Sequence, residues 1–307
     1  MVIIAVFPGQ GSQTPGFLSP WLELDGARAR LEEYSDHAQL DLVAAGTAWD
    51  ADRIRDTKIA QPLIVAASLL SYHALRDASG TTLDGVAGHS VGELAALAAA
   101  HVVSDADALR LVGIRGRAMA ESAAAAQTGM SAVVGGVAED VLARLTAANL
   151  TPANHNGGGQ IVAAGALGDL AELAADPPRG ARVIPLQVAG AFHTRYMAPA
   201  VDTLRKAAAS VAASDPDLTL WTNSDGSVVT SGRAAIDLMV AQVASPVRWD
   251  LCMESFADHG VTGIIELAPA GTLVGLAKRG LRGVPSVAVK TPDDLQAASG
   301  LLTGENA

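Results

Sequence analysis

Ser90 lies in Gly88-His89-Ser90-Val91-Gly92, a G-x-S-x-G pattern between the apolar stretch GVAG and the alanine-rich run VGELAALAAAHV. At a sharp strand-to-helix turn the neighbouring backbones crowd together, so side chains at 88 and 92 would collide. The serine is then lifted to the start of a helix whose N–H groups favour a developing oxyanion. This is the chemistry of a serine nucleophile, which needs a base. Seven histidines compete for that role. His101 lies about 16 Å along the following helix, out of reach. His89 adjoins Ser90 and points elsewhere, while His37, His73 and His259 fall in helical patterns or at a helix end. His155 and His193 remain. His193 follows the apolar run VIPLQV, where a β-to-α loop at the carboxyl edge of a sheet would place it beside the turn.

Arg115 adds a second chemistry. At about 100° per residue along DADALRLVGIRGRAMAES, Arg110 and Arg117 share one side with Glu121 beyond them, as a solvated face should. Arg115 instead falls among Leu111, Val112, Ala118 and Met119, on the stripe that faces the core. A guanidinium there needs an anion, supplied by an Asp or Glu of the chain or by a ligand. The loop PGQGSQTPG at 8–16 holds no nucleotide fingerprint: Thr14 stands where the third glycine belongs, and no Gly-Lys-Ser/Thr follows. It reads as a turn, or as a loop offering backbone N–H groups.

Short apolar runs alternating with helical patterns position these residues on a largely parallel sheet covered by helices. From about 128 to 187 the rhythm becomes strand, helix, strand, strand, helix, strand, the order of a ferredoxin-like unit inserted into the larger fold. The expected division is therefore a core of 1–127 and 188–307 and a small subdomain of 128–187. The N-terminal VIIAVF reads as a buried strand and not as a secretion signal, which points to the cytoplasm. A net charge of −11 argues against nucleic acid or anionic lipid as a partner, and no apolar run approaches the length of a membrane span. The lone Cys252 excludes an internal disulfide and a multi-cysteine zinc site, and no metal is expected.

FPGQGSQ at the start, AQPLI at 60–64, GHSVGE, IRGRAM at 114–119, ANHNGGGQIVAAG at 153–165, AFH at 191–193, PVRW at 246–249 and ELAPAGTLVGLAKR at 266–279 follow one another in the chain. In this order they resemble the malonyl-CoA:acyl carrier protein transacylases of fatty acid and polyketide synthesis. The resemblance implies an α/β-hydrolase-like core with a ferredoxin-like insertion. It casts Ser90 as nucleophile and His193 as base, oriented by a backbone carbonyl at Arg248. Backbone N–H groups of Gln10 and Val91 would form the oxyanion hole, Arg115 would bind the malonyl carboxylate, and Gln61 and Asn156 would line the pocket. Phe192 in AFH accompanies malonyl selection, where ASH accompanies methylmalonyl. Two departures stand out: Val91 where leucine is common, and ELAPAG in place of E-x-G-P-G at 266–271. Malonyl-CoA and acyl carrier protein are the implied partners, the latter steered by Lys278, Arg279 and Arg282. Coenzyme A is then a substrate, and no cofactor is expected. A serine esterase or thioesterase would share the Ser-His pair but has no reason to keep an arginine in its acyl pocket.

Overall fold

The computed structural model describes residues 1–304. Its first part comprises β1 (Ile3–Phe7), α1 (Ala27–Ala38), α2 (Leu42–Thr47), α3 (Ala51–Arg55), α4 (Thr57–Ser79), β2 (Gly85–Gly88), α5 (Gly92–Ala99) and α6 (Asp105–Ala124). There follow β3 (Thr128–Gly135), α7 (Ala138–Ala147), β4 (Thr151–Gly157), β5 (Gln160–Ala166), α8 (Leu167–Ala175) and β6 (Ala181–Pro185). The last part holds α9 (Ala198–Ala208), β7 (Thr219–Trp221), α10 (Gly232–Gln242), β8 (Val247–Arg248), α11 (Trp249–Asp258), β9 (Gly263–Glu266), α12 (Thr272–Gly280), β10 (Ser286–Ala288) and α13 (Leu295–Thr303).

Five parallel strands form the larger sheet in the order β10-β9-β1-β2-β7. Every residue of β1, β2 and β9 is buried, because helices cover both faces of the sheet. Alternation along β1 sends Ile3, Ala5 and Phe7 into one hydrophobic cluster, shared with α4, α5 and α6. Ile4 and Val6 enter another, with Trp249 and Phe256 of α11 and Leu273 and Leu276 of α12.

The second sheet runs β6-β3-β5-β4-β8. Its first four strands pair antiparallel, over a separate core of Val133, Val141, Leu145, Leu150, Ala163, Leu170 and Leu173. The fifth, β8, comes from the other end of the chain and lies parallel to β4, with Asn154 opposite Val247 and His155 opposite Arg248. Two residues are too few to show alternation, so the sequence offers no sign of this strand. It stitches the small sheet to the segment that follows α10.

The loop at 268–271, where the sequence departs from the pattern it resembles, is held from within. Glu266 is fully buried and accepts hydrogen bonds from the N–H groups of Gly271, Leu273 and Val274 at 2.8, 2.9 and 2.9 Å. No helix among the described residues is long and apolar enough to cross a membrane.

Candidate active site

The turn after β2 is built from the residues the motif demands. Ser90 adopts a left-handed backbone with φ of 54°, a conformation that costs a side-chain-bearing residue energy and is kept where the surroundings impose it. A Cβ on Gly88 would stand 2.0 Å from the carbonyl carbon of Gly92, and one on Gly92 would stand 2.2 Å from the Phe7 oxygen. Only glycine fits at either place. Ser90 N–H donates to Asn223 Oδ1 at 2.7 Å, and Asn223 Nδ2 donates to the Gly88 carbonyl at 2.7 Å. The segment after β7 thus braces the turn from both sides.

The Ser90 hydroxyl meets Nε2 of His193 at 2.8 Å. His193 Nδ1 donates to the main-chain oxygen of Gln242 at 2.9 Å, which assigns the proton to Nδ1 and leaves the Nε2 lone pair facing the serine. Burial, helped by the nearby Arg115 cation, lowers the imidazole pKa to about 3. The ring is therefore neutral at ordinary pH, the form a general base needs.

The expected orienting carbonyl at Arg248 is corrected here to Gln242. Gln242 ends α10, where carbonyls lack helical partners, so its oxygen can turn toward the imidazole while also accepting from the Ser245 N–H at 3.1 Å. Arg248 lies farther along, drawn into β8. Its N–H donates to the Asn223 carbonyl at 2.8 Å and its side chain pairs with Asp250 at 2.8 Å.

Arg115 is 1% exposed, as its place on the helix stripe requires. Nη1 donates to Gln61 Oε1 at 2.7 Å, while Nη2 reaches Gln242 Oε1 at 3.1 Å and Ser90 Oγ at 3.4 Å. It forms no ion pair with Asp or Glu among the described residues. Burial lowers its pKa to about 10, so the cation persists at neutral pH. The site thus presents a charged fork beside the nucleophile that bonds to no carboxylate among the described residues, the buried Glu93 acting on it only through space and through Gln242.

The remaining expected residues fall at different distances from this centre. Gln61 belongs to it. Asn156, on β4, accepts from His89 Nε2 at 2.9 Å and donates to Gln160 at 2.8 Å, so it ties the neighbour of Ser90 to the small sheet. Gln10 sits in the loop after β1, next to Gly9, where a Cβ would lie 3.0 Å from the His89 ring. Neither the Gln10 nor the Val91 N–H has an acceptor among the described residues. Phe192 is buried in the larger core beside His193. His155, half-exposed on β4, makes no hydrogen bond to Ser90. It borders two adjoining clefts of about 270 and 350 Å³, one reaching Gln242 and the other Gly159 and Gln160. Lys278, Arg279 and Arg282 are exposed at the end of α12. Arg279 packs on Gly158, in the turn joining β4 to β5, which sets this basic cluster at the seam between the two sheets. Glu93, Asn223 and Gln242 were not singled out from the sequence. The only available sign was Glu93 in GHSVGE.

A family model described as the acyl transferase domain matches residues 4–295. The malonyl CoA-acyl carrier protein transacylase of Mycobacterium tuberculosis is 53% identical over 98% of this chain and 100% of its own. That of Bacillus subtilis is 34% identical over 99% and 98%. The crystal structure of MCAT from M. tuberculosis superposes with a TM-score of 0.95, covering 97% of this chain and 100% of that one at 53% identity. A malonyl-transacylase solved in complex with its type II PKS acyl-carrier protein gives a TM-score of 0.91 at 29% identity, covering 98% and 100%.

Proposed function

The chain belongs to the acyl transferase domain family, and from that premise we infer that it carries a malonyl group from malonyl-CoA to the phosphopantetheine thiol of an acyl carrier protein. The observation that carries this reading is Arg115, a buried guanidinium beside Ser90 that bonds directly to no carboxylate among the described residues. A malonyl group ends in the carboxylate that a planar fork binds with two parallel hydrogen bonds.

The reaction proceeds in two half-steps. Ser90 Oγ attacks the thioester carbonyl while His193 Nε2 takes the hydroxyl proton, and the N–H groups of Gln10 and Val91 receive the oxyanion. The intermediate collapses, the C–S bond breaks, and the leaving thiolate takes the proton from His193 to depart as coenzyme A. In the second half-step the carrier thiol gives its proton to His193 and attacks the malonyl ester, and the proton returns to Ser90. Coenzyme A is a substrate here and no cofactor takes part. The clefts bordered by His155 and Arg248 offer the pantetheine arm a path toward Gln242. A cytoplasmic location goes with substrates of this kind.

In the same reading 1–127 and 188–307 make an α/β-hydrolase-like catalytic core and 128–187 a ferredoxin-like subdomain. The parallel five-stranded sheet supports the first. The order β6-β3-β5-β4 around two helices supports the second.

Intact-protein mass spectrometry after treatment with malonyl-CoA tests the function. A malonyl adduct on Ser90 that passes to carrier protein faster than water removes it is the expected result. Faster loss to water would make the protein a hydrolase, and an absent adduct would end the reading.

Two further expectations concern the substrates. Phe192→Ser opens room for an α-methyl group and shifts preference toward methylmalonyl-CoA by ~1–3 kcal/mol, read from competing acylation rates. Unchanged preference would return Phe192 to a purely packing role. Carrier proteins of this kind are small and acidic, so the Lys278, Arg279 and Arg282 cluster would steer their approach. Reversing these charges raises KM for carrier protein and spares acylation by malonyl-CoA. Equal effects on the two half-reactions would rule out that docking role.

A further inference from the structure

Gln242 touches three parts of the site at once. Its main-chain oxygen holds His193, its side-chain oxygen accepts from Arg115, and its Nε2 lies 2.6 Å from Glu93 Oε2, 3.1 Å from Asn223 Oδ1 and 3.2 Å from the Ser90 oxygen. A side-chain amide can be turned either way about its axis, and which way matters here. With the oxygen toward Arg115 it accepts from the guanidinium; turned over, it would set an NH2 group against another donor.

Of the three acceptors that favour this orientation, Glu93 makes the shortest contact and is the only one that carries a charge. It lies in the first turn of α5 and is 6% exposed. Every polar neighbour around its carboxylate is a donor: Asn223 N–H to Oε1 at 2.7 Å, Thr222 Oγ to Oε1 at 3.5 Å, and Gln242 Nε2 to Oε2. We propose that Glu93 is a positioning residue for acyl selectivity, which holds the Gln242 amide with its oxygen toward Arg115 and so keeps the guanidinium aimed at an incoming carboxylate.

An amide at position 93 cannot replace the carboxylate. Glutamine has one acceptor oxygen, while the site directs donors at both. Whichever way it turned, its NH2 group would face either Asn223 N–H or Gln242 Nε2, and relief comes from turning Gln242 over against Arg115. The damage is therefore specific to substrates that use Arg115, because His193 depends on the main-chain oxygen of Gln242 and not on its side chain.

Protonation of Glu93 has the same effect as the amide. The charged and titratable groups that act on it are Arg115 on α6 and Cys252 on α11, with His193 beyond, beside Arg115. The residues facing it from the segment after β7 and from α10 are the neutral Thr222, Asn223 and Gln242. Burial raises the Glu93 pKa to about 7 against the pull of its donors and of Arg115. The His193 pKa is about 3, the Arg115 pKa is about 10, and burial pushes the Cys252 thiol up, so none of the three titrates near neutrality. The malonyl preference of the wild type should thus rise as pH climbs through about 7 and fall as Glu93 takes a proton below it.

The role rests on the malonyl reading above, and its test separates the two. Acylation by malonyl-CoA and by acetyl-CoA is followed side by side by intact mass in wild type, Glu93→Gln, Gln242→Leu and the double variant, with thermal melting as a control for folding. Glu93→Gln lowers the malonyl-to-acetyl ratio by about ten- to a hundredfold, the worth of a buried hydrogen bond to a charged group. The double variant is no worse than Gln242→Leu alone, because Glu93 acts through Gln242. A folded Glu93→Gln protein with the wild-type ratio overturns the role of Glu93 alone. A wild type that takes no malonyl overturns the malonyl reading and this role with it. Should Glu93→Gln fail to fold, the wild-type pH series decides: a ratio that climbs through neutrality supports the role, and a flat one overturns it.

Discussion

His193→Ala slows acylation of Ser90 by malonyl-CoA by about 10²- to 10⁴-fold, the usual worth of a positioned general base, while His155→Ala has a far smaller effect. The geometry sets this order. His193 Nε2 is 2.8 Å from Ser90 Oγ and its other nitrogen is anchored to Gln242, whereas His155 sits at the border of the clefts. Rapid quenching followed by intact mass measures the acylation step directly. A larger loss for His155→Ala than for His193→Ala would reassign the base.

Arg115→Ala abolishes the advantage of malonyl over acetyl, worth about 3–5 kcal/mol if a buried charge left without its partner is the measure. Removing the guanidinium leaves no orphaned carboxylate, because Glu93 keeps Asn223, Thr222 and Gln242 as donors. The Arg115 charge also depresses the His193 pKa, so its removal makes the imidazole more basic. Acylation by acetyl-CoA therefore persists in the variant. Arg115→Lys keeps the charge without the fork and restores little. Acylation by the two thioesters, measured in parallel with melting curves, gives the answer. Equal loss for both, with a lowered Tm, would make Arg115 a structural residue and send the search for malonyl recognition elsewhere.

These two expectations follow from residues that the sequence already displays. Ser90 is legible because the turn it occupies admits only glycine at 88 and 92, so backbone crowding is written into the residue types. Arg115 is legible because helical spacing puts it on an apolar stripe. The layered α/β organisation shows in the alternation of apolar runs and helical patterns, and four strands of the second sheet show in the change of rhythm after about residue 128. What stayed hidden acts through the main chain or through distant partners. The Gln242 carbonyl holds His193 because α10 ends there, and a main-chain oxygen leaves no trace in residue type. Arg248 was the expected holder from its place near PVRW, six residues too far along. Asn223 sits after the three-residue strand β7, and its bonds to Ser90 and Gly88 span 133 and 135 positions of the chain. Glu93 is visible as a letter of GHSVGE, but its use depends on which donors the fold brings to it.

The sequence separations within the site have a consequence for biogenesis. Ser90 meets His193 across 103 residues, and Gln242 reaches back to Ser90 across 152. A nascent chain emerging from the ribosome can order β1 and β2 early, yet the serine turn lacks its Asn223 brace and the imidazole its anchoring carbonyl until β7 and α10 have been made. Closing loops of this length belongs to the slow part of folding, when long-range contacts form. The nucleophile is thus unpaired with its base throughout most of synthesis, and it becomes reactive toward cellular thioesters only when the last third of the molecule has docked.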